Sequence, residues 1–480
     1  MKIVAICIAA VAGLATLLAP PSQSAAQGLA AAVLPDTPAG KRFADWLAVY
    51  NRGDEAELKA YVRDVMSATK WQSDTLVEVR STTGPLVPFK VIAPGPNIIS
   101  VILAERDTDS FDEFAMLVEP GDPHRITLLQ PHPVPRPTDA PPLPVLDEAQ
   151  LLTALKVRLD RETAAGLFSG VLLLARHGKP IFQYAGGQEN RERRIPMTVN
   201  SQLGTASIGK MFTTVAVMQL AQSGKLDLDA PVGRYLPDYP NKSVATRVTV
   251  NELLTHTGGT GDFPDGAAPQ GKPLLTPADY IALSGARDPL FEPGSRKSYS
   301  NFGFIILGRI VERVSGQPWG DYLRDHVFAP AGMTQSGTAP YATPAPHRAT
   351  GYTLTAGKLV STDPMKSLRA PTPAGGEYTS AGDLLKFMTA LMAGRLLDQA
   401  HTELLLHGDA TIAGRRYPYD ISGKAENGKP FFGHQGGGPG ANGDVRAFPD
   451  SGYTLVILSN FGPPWQKFAQ FVSNRLPMAR

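Results

Sequence analysis

Strand-forming segments lie at both ends of the C-terminal part of this chain, and a long helix-rich stretch over about 207–394 separates them. Strands at both ends with helices between them imply one antiparallel sheet, assembled from the two ends, beside a helical insert, which is an α+β arrangement. Apolar spacing also predicts a helix over Asp147–Ala165 and a final amphipathic helix over 465–476 that covers the sheet. The five predicted strands are Gly170–Arg176, Ile181–Gly187, Pro430–His434, Asp444–Phe448 and Tyr453–Ser459.

A serine and a lysine stand three residues apart where the helical stretch begins, at Ser207 and Lys210, and an apolar run over 211–220 follows them. Residues three apart share one face of a helix, so the two side chains are expected to lie together. A desolvated lysine can take the proton of a serine hydroxyl, and a helix start offers backbone N–H groups to an oxyanion. The same spacing occurs at Ser67 and Lys70, so this motif alone is a weak signal.

A tyrosine and an asparagine, Tyr299 and Asn301, precede an apolar helix predicted over 302–314. Two residues apart on a loop, both side chains can face one cleft. A phenol near Lys210 can carry a proton between Ser207 and a leaving group, and the amide can hold the lysine or bind a substrate. The alternative is a core tyrosine beside a serine or asparagine that caps the helix.

A glycine cluster follows the predicted strand that ends at His434. Gly436, Gly437 and the glycines up to Gly440 leave room for a substrate to lie along the strand edge, where backbone N–H groups can polarise its carbonyl. The alternative is a flexible loop without a role in chemistry.

Taken in this order and spacing, the three motifs resemble those of serine β-lactamase-related enzymes of the penicillin-binding type, close to class C β-lactamases and their esterase and D-peptidase relatives. The resemblance covers roughly residues 143–480, and it implies a β-lactamase/transpeptidase-like antiparallel sheet flanked by helices, with a helical subdomain. Each motif alone is weak, but the ordered set is specific. The supporting phrases are Ser169-Gly170-Val171-Leu172-Leu173, Leu253-Leu254-Thr255-His256-Thr257-Gly258-Gly259, Pro293-Gly294, Gly375-Gly376 and Tyr378-Thr379-Ser380.

Two other segments repeat parts of these motifs. Tyr239-Pro240-Asn241 lies in a proline-flanked loop soon after Ser207. His256-Thr257-Gly258 comes before Tyr299 and follows a helix, whereas the motif histidine ends a strand. Both segments are interpreted as structural.

The resemblance implies a role for each motif residue. Ser207 would form an acyl-enzyme with Lys210 as its base, and Tyr299 would protonate the leaving group and later help to activate water. Asn301 would orient lysine and substrate, and the backbone N–H groups of Ser207 and Gly437 would form the oxyanion hole. No metal and no cofactor is needed for this chemistry.

One departure from the family pattern concerns the substrate. Many β-lactamases and transpeptidases have Lys-Thr-Gly where this chain has His434-Gln435-Gly436, and an imidazole is mostly neutral near pH 7. A substrate carboxylate therefore loses its charge partner, unless Arg446 on the next strand replaces it. This favours an exported hydrolase of carboxylic esters over a D-amino-acid peptidase or a weak β-lactamase. A non-catalytic cell-wall or ligand-binding protein with the same fold is the remaining alternative.

The first residues have the pattern of a secretory signal peptide. A charged start, a short apolar run to about Leu18, prolines and Ser24-Ala25-Ala26 predict cleavage after residue 26, which leaves an exported protein without a membrane span. The chain's one cysteine, Cys7, lies in this segment, so the mature protein is expected to contain neither disulfides nor a cysteine metal site. The formal charge of +2 is scattered and does not indicate a nucleic-acid partner. Composition leaves the oligomeric state open.

Residues 37–130 are predicted to form a separate accessory α+β domain of two helices followed by five strands, the first over Thr75–Arg80. This order is similar to that of NTF2-like domains. Ser67 and Lys70 are expected on its surface, and Trp46 and Trp71 in its core. The proline-dense segment over 131–144 is predicted to be a stiff linker to a hydrolase domain over 145–480.

Overall fold

The computed structural model describes residues 31–67, 76–77, 79–80, 83–105, 109–144, 146–263, 273–355, 358–363, 369–425, 427–462 and 465–477. The signal peptide predicted over 1–26 lies outside these residues, as do Lys70 and Trp71. Within the described ranges, no helix is long and apolar enough to cross a membrane.

Two helices, a further helical segment at 76–77 and 79–80, and a four-stranded antiparallel sheet form the N-terminal part of the described chain. Trp46 lies fully buried between helix and sheet, with its ring centroid 5.2 Å from that of Phe114, so its predicted core position is confirmed. The similarity to NTF2-like domains stays a prediction. The elements are α1 (Pro38–Arg52), α2 (Glu55–Val65), β1 (Leu86–Pro94), β2 (Ile98–Glu105), β3 (Phe111–Val118) and β4 (Ile126–Val134), with the strands in this spatial order.

The strand predicted over Thr75–Arg80 is wrong, because the residues described there are helical. Leu76 is buried in the core, and Arg80 donates hydrogen bonds of 2.6 and 3.1 Å to the carbonyls of Tyr50 and Asn51 at the end of α1. These tertiary contacts override the strand-like composition of the segment.

Strand β4 continues past its predicted end into the proline-rich segment. Pro131 pairs with Phe114 and Pro133 with Asp112, so the linker predicted over 131–144 begins only after Val134. Proline has no N–H to donate, and it is tolerated here because β4 is the edge strand of its sheet. Ser67, expected on the surface, is half-buried and its backbone N–H bonds to β4.

A six-stranded antiparallel sheet organises the C-terminal part, and strands from both ends of that part meet in it as predicted. In spatial order its strands are β15 (Ser422–Lys424), β16 (Pro430–Gly438), β17 (Ala441–Phe448), β18 (Tyr453–Phe461), β5 (Ser169–Arg176) and β6 (Lys179–Gly186). Short strands pair elsewhere as β7 (Gln188–Asn190) with β8 (Ile195–Pro196), β9 (Leu203–Gly204) with β12 (Tyr378–Thr379), β10 (Tyr352–Thr355) with β11 (Lys358–Ser361), and β13 (Asp409–Ile412) with β14 (Arg415–Pro418).

Both faces of the six-stranded sheet are buried. Along β18, Leu455 and Ile457 face one apolar cluster, whereas Val456 and Leu458 face another, because side chains alternate along a strand. The first cluster is completed by α3 (Glu148–Ala164) and the final helix α13 (Trp465–Arg475), and the second by the helical region. The predicted covering helix at the C-terminus is confirmed.

The helical region holds the remaining helices, and the largely buried α4 runs through its centre. Ten of the residues of α4 are buried, including Met211 and Phe212. Its helices are α4 (Lys210–Gln222), α5 (Lys242–Arg247), α6 (Val250–Leu254), α7 (Pro277–Ser284), α8 (Asn301–Ser315), α9 (Trp319–Leu323), α10 (Ala329–Ala331), α11 (Ala381–Met392) and α12 (Gln399–His407).

The N-terminal part contacts the final helix through a buried ion pair. Arg475 of α13 bonds to both carboxylate oxygens of Asp109, one of them at 2.9 Å, and the exposed fractions of the two residues are 5% and 3%. The hydroxyl of Ser110 donates to Gln470 at 2.6 Å beside it. The loop between β2 and β3 is therefore tied to the helix that covers the sheet.

Candidate active site

The predicted nucleophile lies on a tight turn that leads into α4. Ala206–Gly209 form a 3₁₀ turn, and Ala206 adopts a φ of 45°, a conformation that residues other than glycine rarely take. Because a 3₁₀ turn has three residues per turn, it aligns Ser207 and Lys210 directly, where the sequence predicted the looser alignment of an α-helix. The distance from Lys210 Nζ to Ser207 Oγ is 3.2 Å.

Lys210 is buried, with 1% of its surface exposed. Its amine donates to three uncharged oxygens: Ser207 Oγ, Asn301 Oδ1 at 2.6 Å and the carbonyl of Ala374 at 2.7 Å. Burial lowers the pKa of Lys210 to about 7, because the charged amine loses its hydration. A substantial fraction of the amine is therefore neutral at physiological pH and able to accept a proton.

Tyr299 and Asn301 approach the same serine and lysine from the start of α8. The Tyr299 hydroxyl donates to Ser207 Oγ at 2.8 Å, and its ring centroid lies 4.8 Å from Lys210 Nζ. Burial of the phenol raises the pKa of Tyr299 to about 12, so it is protonated and can serve as an acid. Ser300 between them caps α8 by accepting from Gly303 N at 2.9 Å, so a capping serine and two cleft-facing side chains coexist.

Strand β16 passes directly against the nucleophile turn. A Cβ on Gly436 would lie 2.3 Å from the carbonyl oxygen of Thr205 and 3.0 Å from Ser207 N, so only glycine fits. Gly437 is exposed at the strand edge beside it. The strand continues to Gly438, so the glycine cluster is an ordered strand edge and the flexible-loop alternative is wrong.

His434 lies on the same strand but is directed to a carboxylate beside the cleft. Its Nε2 is 3.4 Å from Asp420 Oδ2, and its Nδ1 contacts the carbonyl of Gln435. Arg446, considered above as a compensating charge, forms a buried 2.7 Å ion pair with Asp444 and bonds to Ser473 of α13. It therefore faces the side of the sheet away from Ser207, and the prediction that it could replace the missing partner of a substrate carboxylate is wrong.

Four charged or titratable residues around this cluster were not among the site residues predicted from the sequence. The Asn301 amide donates to Asp262 at 2.9 Å, and Thr205 donates to the fully buried Glu377 at 2.6 Å. His256, interpreted as structural, packs its ring 4.6 Å from that of Tyr299 and bonds to Asp420. Only His256 carried a signal, since it lies in a phrase that supported the family resemblance.

The landmark glycines before Tyr378 also serve the nucleophile turn. A Cβ on Gly375, whose φ is 128°, would lie 1.9 Å from the carbonyl oxygen of Ala206. The strained turn is therefore enclosed by backbone on two sides, by Gly375 and by Gly436. Among the described residues, no group of three or more histidine, cysteine, aspartate or glutamate side chains is arranged to hold a metal ion.

Comparison with known proteins agrees with this geometry. A sequence model of the family described as Beta-lactamase matches residues 157–471. The chain belongs to the beta-lactamase family. It is a serine hydrolase of this family, with the β-lactamase/transpeptidase-like fold that the motifs implied.

The names of the relatives point to different ligands and substrates. Penicillin-binding protein 4 of Amycolatopsis lactamdurans is 30% identical over 309 residues, which cover 59% of this chain and 78% of that protein. Esterase EstB of Burkholderia gladioli is 34% identical over 207 residues, which cover 40% of this chain and 53% of EstB. The structure of D-amino acid amidase from Ochrobactrum anthropi SV3 matches with a TM-score of 0.58 and 26% identity, covering 67% of this chain and 97% of that one. The family is thus shared by proteins named for different substrates.

Proposed function

We propose that this beta-lactamase family member hydrolyses carboxylic esters through an acyl-enzyme on Ser207. The observation that carries the proposal is the position of the Ser207 hydroxyl, 3.2 Å from the Lys210 amine and 2.8 Å from the Tyr299 hydroxyl. A nucleophile with a base and an acid within hydrogen-bond reach is the arrangement that acyl transfer needs.

In the acylation step, the neutral Lys210 amine takes the hydroxyl proton while Ser207 Oγ bonds to the ester carbonyl carbon. The backbone N–H groups of Ser207 and Gly437 stabilise the negative charge on the carbonyl oxygen. When the intermediate collapses, the bond to the alcohol breaks and Tyr299 gives its proton to the leaving oxygen. The Lys210 ammonium then returns a proton to the phenolate.

Deacylation uses the same groups with water in place of the alcohol. The Tyr299–Lys210 pair takes a proton from the water as its oxygen bonds to the acyl carbon. Collapse of the second intermediate breaks the bond to Ser207 Oγ, which regains a proton from the same pair. Asn301 keeps the lysine in place throughout, because its Oδ1 accepts from Nζ at 2.6 Å.

The charges around the cleft support an uncharged acyl group. His434 replaces the lysine of related enzymes, and Arg446 is paired on the far side of the sheet. The carboxylates of Asp262 and Asp420 are close enough to act on the charge of Lys210. A substrate carboxylate would be repelled by both of these aspartates, whereas a neutral ester would not.

The test is mass spectrometry of the intact protein after mixing with a fluorophosphonate, a short-chain aryl ester, a penicillin and a D-Ala-D-Ala peptide. We expect a stable phosphonate adduct, fast ester turnover and little reaction with the other two. Ser207→Ala should abolish the adduct, and Ser67→Ala, at the repeated spacing, should keep it. The absence of an adduct on the unaltered protein would reject the acyl-enzyme mechanism. Turnover of the peptide without turnover of the ester would reject esters as the substrate class.

A D-amino-acid amidase or peptidase is the second candidate, and Asp262 favours it. This exposed carboxylate lies at the outer end of the chain of hydrogen bonds from Lys210 through Asn301. There it can attract the free ammonium group of an amino acid amide. Replacement by asparagine should then raise KM for D-amino acid amides while leaving KM for uncharged esters unchanged.

We also propose that the protein is exported, with residues 1–26 removed, and that 37–134 form an accessory domain attached to the hydrolase domain over 145–480. The signal-peptide pattern supports the first proposal. The separate apolar core within the N-terminal part supports the second. N-terminal sequencing of the secreted protein should begin at Gln27, and limited proteolysis should cut within 135–144.

A further inference from the structure

One carboxylate, Asp420, contacts three residues that surround the candidate active site. It lies between β14 and β15, where its side chain is 26% exposed. Its Oδ2 is 3.1 Å from His256 Nε2 and 3.4 Å from His434 Nε2, and its Oδ1 is 2.9 Å from Lys297 Nζ. Burial alone would raise the pKa of the Asp420 carboxyl, but the hydrogen bonds from His256 and His434 hold it well below its usual range.

The tautomer of His256 follows from its backbone partner. Its Nδ1 faces the N–H of Ser300 at 3.1 Å, and because an N–H can only donate, Nδ1 must be the unprotonated nitrogen. The proton is therefore on Nε2, which donates it to Asp420. Burial lowers the pKa of His256, so the ring is neutral in this position.

His256 forms the support on which the Tyr299 ring rests. The two ring centroids are 4.6 Å apart at an angle of 33°, and the ring of Phe304 lies 5.3 Å from that of His256. His256 is 1% exposed, so it has no room to adopt another orientation without losing its bond to Asp420. The bond to Asp420 at Nε2 and the bond from Ser300 N at Nδ1 together fix the plane of the imidazole, and the Tyr299 ring packs against that plane.

We propose that Asp420 is a positioning residue. Acting through His256, it fixes the orientation in which Tyr299 transfers its proton to the leaving group. The same carboxylate also contacts His434 of β16. It thereby links the strand that carries Gly436 and Gly437 to His256, the ring that supports Tyr299. The inference rests on the proposed function, because it assigns to Tyr299 the role of acid in ester cleavage.

The test compares two esters that share one acyl group and differ in the alcohol. A nitrophenolate leaves without help, whereas an alkoxide needs the proton that Tyr299 supplies. In the full-length protein, Asp420→Ala should therefore lower kcat/KM for the alkyl ester by about 10- to 100-fold, part of the usual contribution of a general acid. The value for the nitrophenyl ester should fall much less, because kcat/KM reports the acylation step in both cases.

Partial unfolding or a general disturbance of the cleft would lower both values equally, and such a result would overturn the inference. Asp409→Ala is the matched control: the Asp409 side chain is 24% exposed and forms a 3.0 Å ion pair with Arg416 on the paired strand β14. It should leave the ratio of the two esters unchanged. If the unaltered protein cleaves neither ester, the proposed function fails instead, so the two failures are distinguishable.

Two further variants test the route through His256. Asp420→Asn keeps an oxygen acceptor for the Nε2 proton, so it should restore most of the alkyl-ester activity that alanine loses. In a double-mutant cycle, adding Asp420→Ala to His256→Ala should cost little more than His256→Ala alone, because both remove the same support. Additive losses, or an asparagine variant as slow as the alanine one, would overturn the route.

Discussion

Charged groups are buried on both sides of the six-stranded sheet, but the two sides neutralise them differently. On the side of the helical region, Lys210 donates only to uncharged oxygens, and Glu377 accepts from the Thr205 hydroxyl while its Oε1 has no partner among the described residues. On the side of α13, Arg446 is paired with Asp444 by three hydrogen bonds and bonds to Ser473 as well.

The buried charged groups on the cleft side can therefore change their protonation, whereas those on the α13 side are held in their charged form by a partner. Burial lowers the pKa of Lys210 and raises that of Glu377, each to about 7, so both are poised to exchange protons near neutral pH. A paired buried charge is held by its partner, and breaking such a pair is strongly destabilising. The cleft side is therefore expected to tolerate loss of its charges, at the expense of activity, and the α13 side is expected to show the reverse.

The largest effect is expected from Lys210→Met. Removing the base should lower kcat/KM for an ester by about 100- to 10,000-fold, the usual contribution of acid–base catalysis. The free energy of unfolding should hold or rise, because the variant no longer buries an amine whose partners are all uncharged. Steady-state kinetics and urea unfolding of the same preparation measure both quantities.

Lys225→Met is the control for this variant, since Lys225 is exposed just after α4. It should leave both kinetics and unfolding unchanged. A Lys210→Met protein that unfolds more readily than the control would contradict the view that this lysine is retained for reactivity alone.

The opposite result is expected from Arg475→Met. Asp109 is 3% exposed, and without its partner it becomes a buried, uncompensated charge. The free energy of unfolding should fall by about 3–5 kcal/mol, while kcat/KM of the folded protein stays unchanged. Urea unfolding followed by circular dichroism measures the first, and ester hydrolysis without denaturant the second.

Adding Asp109→Leu to that variant is the informative control. Replacing both members of a buried pair with apolar residues is often neutral, so most of the lost stability should return. Continued instability of the double variant would mean that packing of the Arg475 side chain, and not the unpaired carboxylate, causes the loss.

Much of this arrangement could be predicted from the sequence where it depends on local pattern. The apolar run after Ser207 predicted the buried helix α4, and the strand segments at both ends of the C-terminal part predicted one sheet assembled from both ends. The segment Thr75–Arg80 shows the limit, since its residues are strand-like in composition but helical in the fold. Composition cannot report the contacts of Leu76 and Arg80 that decide between the two.

The supporting charges could not be predicted, because their partners are distant in the chain. Asp420 is separated from His256 by 164 positions, and Glu377 from Thr205 by 172. The sequence next to each of these two residues does not distinguish it from a carboxylate on the surface. The outward direction of Arg446 was equally undetermined until β17 was placed in the sheet and its alternation was fixed.

A smaller effect, on pH dependence, is expected from Glu377→Gln. The carboxylate raises the pKa of Lys210, so its removal lowers that pKa further. Activity needs the free amine and rises with pH through this pKa, so the acid limb of kcat/KM should move to lower pH. The carboxylates of Asp262 and Asp420, which also act on Lys210, remain in the variant.

Glu189→Gln is the matched control for this pH profile. Glu189 is also a buried carboxylate, 6% exposed, and accepts from a single hydroxyl, that of Ser201, at 2.7 Å. Its loss should leave the acid limb in place. An unmoved limb in Glu377→Gln, or an equal movement in both variants, would mean that the carboxylate under the nucleophile turn does not tune the lysine.

The smallest effect is expected from Lys297→Ala, which tests whether burial, and not charge as such, underlies the contrast between the two sides. Lys297 bonds to Asp420 at 2.9 Å, but its side chain is 40% exposed, so water and salt screen the pair. The change in transition-state stabilisation should be about 0–1 kcal/mol, and raising the ionic strength should shrink it further. A loss as large as that of Asp420→Ala would show that the carboxylate acts through this exposed amine, and it would remove the reason for placing His256 in the route to Tyr299.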